Sequence, residues 1–193
     1  MAQDIKTADI AIIGTGPAGI SAAITAKIRN KEILLFGAEP VSSKVAKAHQ
    51  ILNYLGLPAV SGEELAQAYK RHLDQLQIAV TKKRVHAVYA MGSYFAIQAG
   101  QEQYRADSVI LACGMTADKP FPGENEFLGR GVSYCATCDA QFFKGKTVAV
   151  IGYTKESVEE AQYLAEIVGK VLYFPMGKEA VLPELSGNIE ICT

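Results

Sequence analysis

The sequence predicts an α/β fold of two βαβ domains with parallel sheets, the second one incomplete. Three observations predict it. An apolar run near the N-terminus leads straight into a glycine-rich turn, and a helix-period segment follows. A second apolar run then closes the unit. The same strand, turn, helix and strand pattern restarts at residue 147.

The elements can be justified in order. Residues 10–13, all Ile or Ala, read as a buried strand. Residues 14–19 read as a tight turn, and 18–28 carry apolar residues on a helical period. Residues 33–36 are a second buried strand, so the connection is a parallel, right-handed crossover. A long loop over 38–62 follows, containing NYLGLP. The helix GEELAQAYKRHLDQLQ puts Leu65, Ala68, Tyr69, Leu73 and Leu76 on one face. VHAVYA and YFAIQA straddle Met91, Gly92 and Ser93 and predict a hairpin. DSVILACG reads as another buried strand. The stretch MTADKPFPGENEFLGRG, rich in Pro, Gly and charge, predicts a linker. The expected domains are therefore 1–116 and 117–193. Beyond the linker, KTVAVIG, KESVEEAQYLAEIV and GKVLYFP read as strand, helix and strand, and GNIEICT as the start of one more strand.

Composition narrows the function classes. The chain has 193 residues, a formal net charge of −1 and 49% hydrophobic residues. That suits one large or two small globular domains. Near-neutral charge predicts no nucleic acid and no anionic membrane as partner. No run is apolar and long enough to span a bilayer. The start MAQDIKTADIAIIG lacks the basic-then-apolar layout of a secretory signal, so the expected location is cytoplasmic.

Gly14, Gly16 and Gly19 form G-x-G-x-x-G between a strand and a helix. The first glycine permits the turn, the second lets backbone approach a pyrophosphate, and the third lets helix and sheet pack closely. The helix N-terminus adds free N–H groups and a positive dipole end. In this context the motif predicts dinucleotide binding, and hence two Rossmann-like βαβ domains. One departure is Gly37, which stands where an acidic residue usually grips the ribose hydroxyls. Glu39 lies nearby and is not assigned that role.

Cys135 and Cys138 are separated by two residues. That spacing fits a metal site, a structural disulfide or a redox pair. A thiol is nucleophilic only as thiolate, and a helix N-terminus stabilises one. Asp139 adjoins the pair and is placed to move a proton, although an N-terminal helix position also suits a carboxylate by itself. Zinc would need two further ligands, and Cys113, Cys192, His49, His72 and His86 show no ligand spacing. Cys113 and Cys192 read as small buried apolar residues.

With these residues in hand, the chain resembles the thioredoxin reductase family of flavoproteins. The resemblance runs in order through GTGPAG, NYLGLP, SGEELAQAY, VILACG, GVSYCATCDA and VAVIGYTKESVEEAQYLA. It implies FAD as cofactor and thioredoxin as partner. Gly14, Gly16, Pro17, Ala18 and Gly19 would meet the FAD pyrophosphate. The loop from Phe36 and Gly37 would run along the cofactor, with Asn53 near the flavin and Val85 near the adenine. Ala112 and Gly114 would close over it, with Cys113 where the family usually has threonine. Cys138 would face the flavin, Cys135 would attack thioredoxin's disulfide, and Asp139 would act as acid or base. A homodimer is implied as well. So is a longer chain, whose return to the first domain carries a glycine- and aspartate-containing stretch against the flavin. A chain complete at Thr193 would be expected to hold FAD weakly or not at all.

The family's second glycine turn reads GYTKES here. Gly152 remains, Thr154 and Ser157 replace small residues, and Glu156 adds a charge that repels phosphate. The region after the next strand, YFPMGKEA, has no arginine to grip the extra phosphate of NADPH, and its cation Lys178 is a poor substitute. The combination resembles the branch of ferredoxin-dependent flavin thioredoxin reductases, so ferredoxin is the expected donor. The alternatives are an NADPH-dependent thioredoxin reductase and a flavin- or partner-binding module without turnover.

Overall fold

The computed structural model describes residues 5–114, 120–176 and 187–192. The chain divides into two compact units. One comprises Met1–Gln50 and Val60–Asn125, the other Ile51–Ala59 and Glu126–Thr193. The expected boundary between 116 and 117 falls outside the described residues.

The first unit is a six-stranded sheet with helices. Its elements are β1 (Lys6–Ile13), α1 (Pro17–Ile28), β2 (Ile33–Phe36), α2 (Gly62–Gln75), β3 (Val80–Thr81), β4 (Val85–Ala90), β5 (Phe95–Ala99) and β6 (Glu102–Leu111). Strand order is β3-β2-β1-β6-β5-β4. The first four of these run parallel, and β5 and β4 add an antiparallel edge. β1 is central because its second half, residues 10–13, is apolar on both faces, as a strand covered on both sides requires. Ala11 and Ile12 are fully buried.

α1 buries Gly19, Ile20, Ala23 and Ala26, a stripe at helical spacing. α2 buries Leu65, Tyr69 and Leu73. Ala68 and Leu76 on the predicted face are half-buried. A capping box starts α2: Ser61 Oγ accepts from the Glu64 N–H at 3.2 Å, and Glu64 Oε2 accepts from the Ser61 N–H at 3.0 Å. Phe36 packs edge-on against Tyr104, centroids 5.0 Å apart, at the middle of the core. Burying a ring of that size stabilises by roughly 1.5–3 kcal/mol.

The structure differs from the sequence reading at β6. β6 begins at Glu102, before the predicted DSVILACG, because Glu102–Ala106 also pair with β5. It is not a buried strand throughout: Ile110 is 38% and Leu111 71% exposed. β3 carries no sequence signal, being two residues long. The stretch read as a linker or domain edge contains the division between the units at Asn125 and Glu126, a helical turn, α3 (Glu124–Phe127), and Leu128, which forms a parallel bridge with Val132.

The second unit continues with α4 (Ala136–Asp139), β7 (Thr147–Gly152), α5 (Lys155–Ala165), β8 (Lys170–Pro175) and β9 (Ile189–Ile191). A 3-10 turn, Ala140–Phe143, extends α4. The three strands are parallel in the order β7-β8-β9. The predicted final strand is present as β9, and α5 ends three residues earlier than its pattern. Val158, Ala161 and Leu164 of α5 pack with Val171 and Tyr173 of β8 and Ile189 of β9.

Candidate functional site

The glycine turn sits at the C-terminal ends of β1, β2 and β6. Gly14 donates its N–H to the Phe36 carbonyl at 2.8 Å, and Ala112 donates to the Ile13 carbonyl at 2.8 Å. Gly14 has φ +124, and a Cβ there would strike the Ala112 carbonyl. A Cβ on Gly19 would strike the Gly14 carbonyl. Backbone contact therefore requires these two glycines. Gly16 differs: a Cβ there would meet nothing within 4 Å. It is also the N-cap of α1, without a side-chain cap. Helix geometry leaves the N–H groups of Ala18 and Gly19 without intrahelical acceptors, and Pro17 at the first helical position has none to satisfy. The turn is thus a cradle of open space and unspent donors, which fits a dinucleotide pyrophosphate. Ala112 and Gly114, the latter at φ +66, flank it from the end of β6.

Phe36 takes part through its carbonyl, while its ring lies in the core at 1% exposure. A Cβ on Gly37 would overlap the Thr15 side chain. Thr15 donates from Oγ1 to the Ala38 carbonyl at 3.1 Å and accepts at its own carbonyl from Ser42 Oγ at 3.0 Å. Thr15 thus fills the room an acidic side chain at position 37 would need. Sequence reasoning did not single out Thr15 or Ser42, since their roles depend on the loop folding back. Val85 opens β4, which β6 and β5 separate from β1 in strand order. Asn53 belongs to the other unit.

There, Cys135 and Cys138 are joined as a disulfide, with Cα atoms 5.3 Å apart. Among the described residues no group of three or more His, Cys, Asp or Glu is placed to hold a metal. Cys135 is the N-cap of α4, and its sulfur accepts the Cys138 N–H at 3.2 Å. α4 is one turn long, so its dipole is small, and this single N–H supplies the stabilisation expected from a helix terminus. Ser133 holds the approach: its Oγ accepts the Cys135 N–H at 3.0 Å and donates to the Cys135 carbonyl at 3.2 Å. Asp139 is half-buried and donates its N–H to the Cys135 carbonyl at 3.3 Å. Asn53 Nδ2 lies 3.7 Å from Cys138 Sγ. Ala140 and Ala136 fix this segment to the core of the second unit.

Cys113 and Cys192 depart from the buried, apolar expectation. Cys113 is exposed and Cys192 half-buried. Cys113 lies just past the end of β6, where its thiol donates to the Ile13 carbonyl at 3.7 Å.

The second glycine turn carries the exposed side chains of Thr154 and Glu156, where the first has Gly16 and Ala18. A Cβ on Gly152 would strike the Tyr173 hydroxyl. Ser157 Oγ donates to the Thr154 carbonyl at 2.5 Å and lies 3.0 Å from Tyr173 Oη. The Thr154 hydroxyl, then the backbone N–H of Glu156 itself, hold the Glu156 carboxyl below its ordinary value. A negative charge is therefore fixed in the first turn of α5, where a pyrophosphate would need positive potential. Tyr173 gave no sequence signal beyond an apolar strand. Lys178 lies outside the described residues.

One unit with an open glycine cradle and another with a Cys-x-x-Cys disulfide are the parts of an α/β disulfide oxidoreductase. Residues 8–190 match the model of the pyridine nucleotide-disulphide oxidoreductase family, and the chain belongs to that family. Its cofactor class is FAD. The chain is 36% identical over 167 residues to a thioredoxin reductase of Bacillus subtilis, covering 86% of this chain and 53% of the relative. It is 37% identical over 188 residues to one from Aquifex aeolicus, covering 95% and 58%. The chain thus spans a little over half the length of the curated relatives it matches. Among solved structures, a ferredoxin-flavin thioredoxin reductase from Clostridium acetobutylicum is 50% identical with a TM-score of 0.57, covering 98% of this chain and 65% of the other. A thioredoxin reductase from Streptococcus pyogenes is 28% identical with a TM-score of 0.78, covering 96% and 63%. Identity ranks the first higher and superposition the second. A TM-score weighs backbone paths alone, so it does not register the side chains that fill a turn.

Proposed function

We propose that the chain carries the disulfide-exchange chemistry of a flavin-dependent thioredoxin reductase whose electrons come from ferredoxin rather than NADPH. The observation that carries the donor assignment is the second turn, where Thr154 caps α5 with a side chain in the place that Gly16 leaves open in the first. The Thr154 side chain stands where backbone would have to approach a pyrophosphate, and the Glu156 carboxylate beside it would repel the phosphates. The higher identity to the ferredoxin-flavin reductase supports the same reading.

Gly16, Ala18 and Gly19 would hold the FAD pyrophosphate, with Gly14, Pro17, Phe36 and Gly37 shaping the cradle and Ala112 and Gly114 closing it. Bound FAD supplies two-electron chemistry matched to a disulfide. The chain's residues do the rest. Cys135, as thiolate, attacks one sulfur of thioredoxin's disulfide, forms a mixed disulfide and releases the other sulfur as thiolate. Cys138 then attacks Cys135 Sγ, which re-forms the internal disulfide and frees the second thioredoxin sulfur. Asp139 would carry one of the two protons this exchange delivers. The Cys138 N–H on Cys135 Sγ favours the attacking thiolate. Val85 as an adenine contact, a homodimer and a cytoplasmic setting are parts of the same reading.

Anaerobic rapid mixing of the FAD-loaded chain tests the donor. Reduced ferredoxin should bleach the flavin absorbance within the turnover time, and micromolar NADPH should not. Equal bleaching by NADPH would overturn the assignment.

A further inference from the structure

We propose that Asn53 is a positioning residue for the cysteine pair: its carboxamide donates to Cys138 Sγ and stabilises that sulfur as thiolate when the disulfide opens. Three observations carry this. Asn53 Nδ2 and Cys138 Sγ lie 3.7 Å apart, across 85 residues of sequence. The segment Ile51–Ala59 is grouped with the unit that holds the disulfide, away from its neighbours in sequence. The two sulfurs have unlike donors, because Cys135 Sγ accepts a backbone N–H within α4 and Cys138 Sγ accepts a side-chain amide from this segment.

A disulfide sulfur is a weak acceptor and a thiolate a strong one, so the same N–H contributes far more after reduction. Opening by a dithiol breaks the Sγ–Sγ bond, oxidises the donor to its own disulfide and transfers two protons to the pair. The sulfur whose thiolate is better held then releases its proton to solvent. The backbone donor to Cys135 is fixed by the turn of α4. The donor to Cys138 depends on one replaceable side chain. The titratable groups on the neighbouring elements are Asp139 within α4, Tyr54 beside Asn53, and Lys155, Glu156, Glu159 and Glu160 of α5, which packs against α4. The α5 side chains are exposed, so solvent screens them, and the contact at 3.7 Å has the shorter range.

The inference rests on the redox reading of the pair, but its test needs neither flavin nor thioredoxin, so the two fail separately. In full-length Cys135→Ser chain, Cys138 titrates alone and coupling between the thiols is removed. Iodoacetamide alkylation of Cys138, followed by mass spectrometry against pH, gives its thiolate fraction. With Asn53→Ala the apparent pKa of Cys138 should rise by about one unit, a roughly tenfold smaller thiolate fraction below it. Asn53→Asp keeps the shape, replaces the donor with a carboxylate and should raise it at least as far. In Cys138→Ser chain, Cys135 should move much less. An unchanged Cys138 profile in Asn53→Asp would overturn the proposal. So would equal shifts at both cysteines, which would report general loosening. The isosteric Asp variant decides the matter if the Ala variant does not fold.

Discussion

At the scale of single residues, the three glycines of one motif do different work. Gly14 and Gly19 are held against backbone carbonyls, whereas Gly16 faces open space. Gly14→Ala should therefore destabilise the chain, lowering Tm by several degrees in a thermal melt, because strain and overlap coincide at φ +124. Gly16→Val should leave Tm within about 2 °C and weaken FAD binding about tenfold or more, measured by flavin fluorescence. Cys138→Ser should leave a chain that still couples to thioredoxin through Cys135 and accumulates as the mixed disulfide on a non-reducing gel. Cys135→Ser should form none. The motif was legible in the sequence, because glycine spacing and cysteine spacing are local. The division of labour was not, since it depends on which atoms lie opposite each Cα. Gly37 shows this: its departure from the usual acidic residue was visible, but its cause, the Thr15 side chain, is set by a loop that folds back.

At the scale of elements, periodicity gave the long helices and β1, β2, β4, β5, β7 and β8. It missed β3, which is too short to have a period, and placed β6 too late, because the start of β6 is polar and is defined by its pairing with β5. The segment Ile51–Ala59 could not be assigned to the second unit by any local pattern. The α2 capping box makes a pH prediction. The Ser61 hydroxyl, then its N–H, hold the Glu64 carboxyl below its usual value of 4.5. A depressed folded pKa means that the stabilisation is full above 4.5 and fades as pH falls through the lower, folded value. Ser61→Ala should lower Tm by about 2–4 °C at neutral pH. The loss should shrink in melts at successively lower pH within the acid range. The second turn makes another prediction. Thr154→Gly with Glu156→Gln and Ser157→Ala removes its larger side chains and its charge. NADPH affinity, measured by calorimetry, should rise at least several-fold.

At the scale of the whole molecule, the first unit offers a dinucleotide cradle and the second a reducible disulfide. The chain spans 53% to 58% of its thioredoxin reductase relatives, so its catalytic competence has to be measured on the chain loaded with FAD. The family was legible in the sequence because both motifs are short and ordered. The proposal of ferredoxin over NADPH rests in the sequence on a damaged turn, and the structure adds that Thr154 and Glu156 stand exposed on it. Steady-state thioredoxin reduction by the FAD-loaded chain tests the central claim most directly. With reduced ferredoxin, thioredoxin thiols should appear at a rate that Cys135→Ser abolishes, and micromolar NADPH alone should give at most a few per cent of that rate. Rapid, Cys135-dependent turnover with NADPH alone would contradict the account.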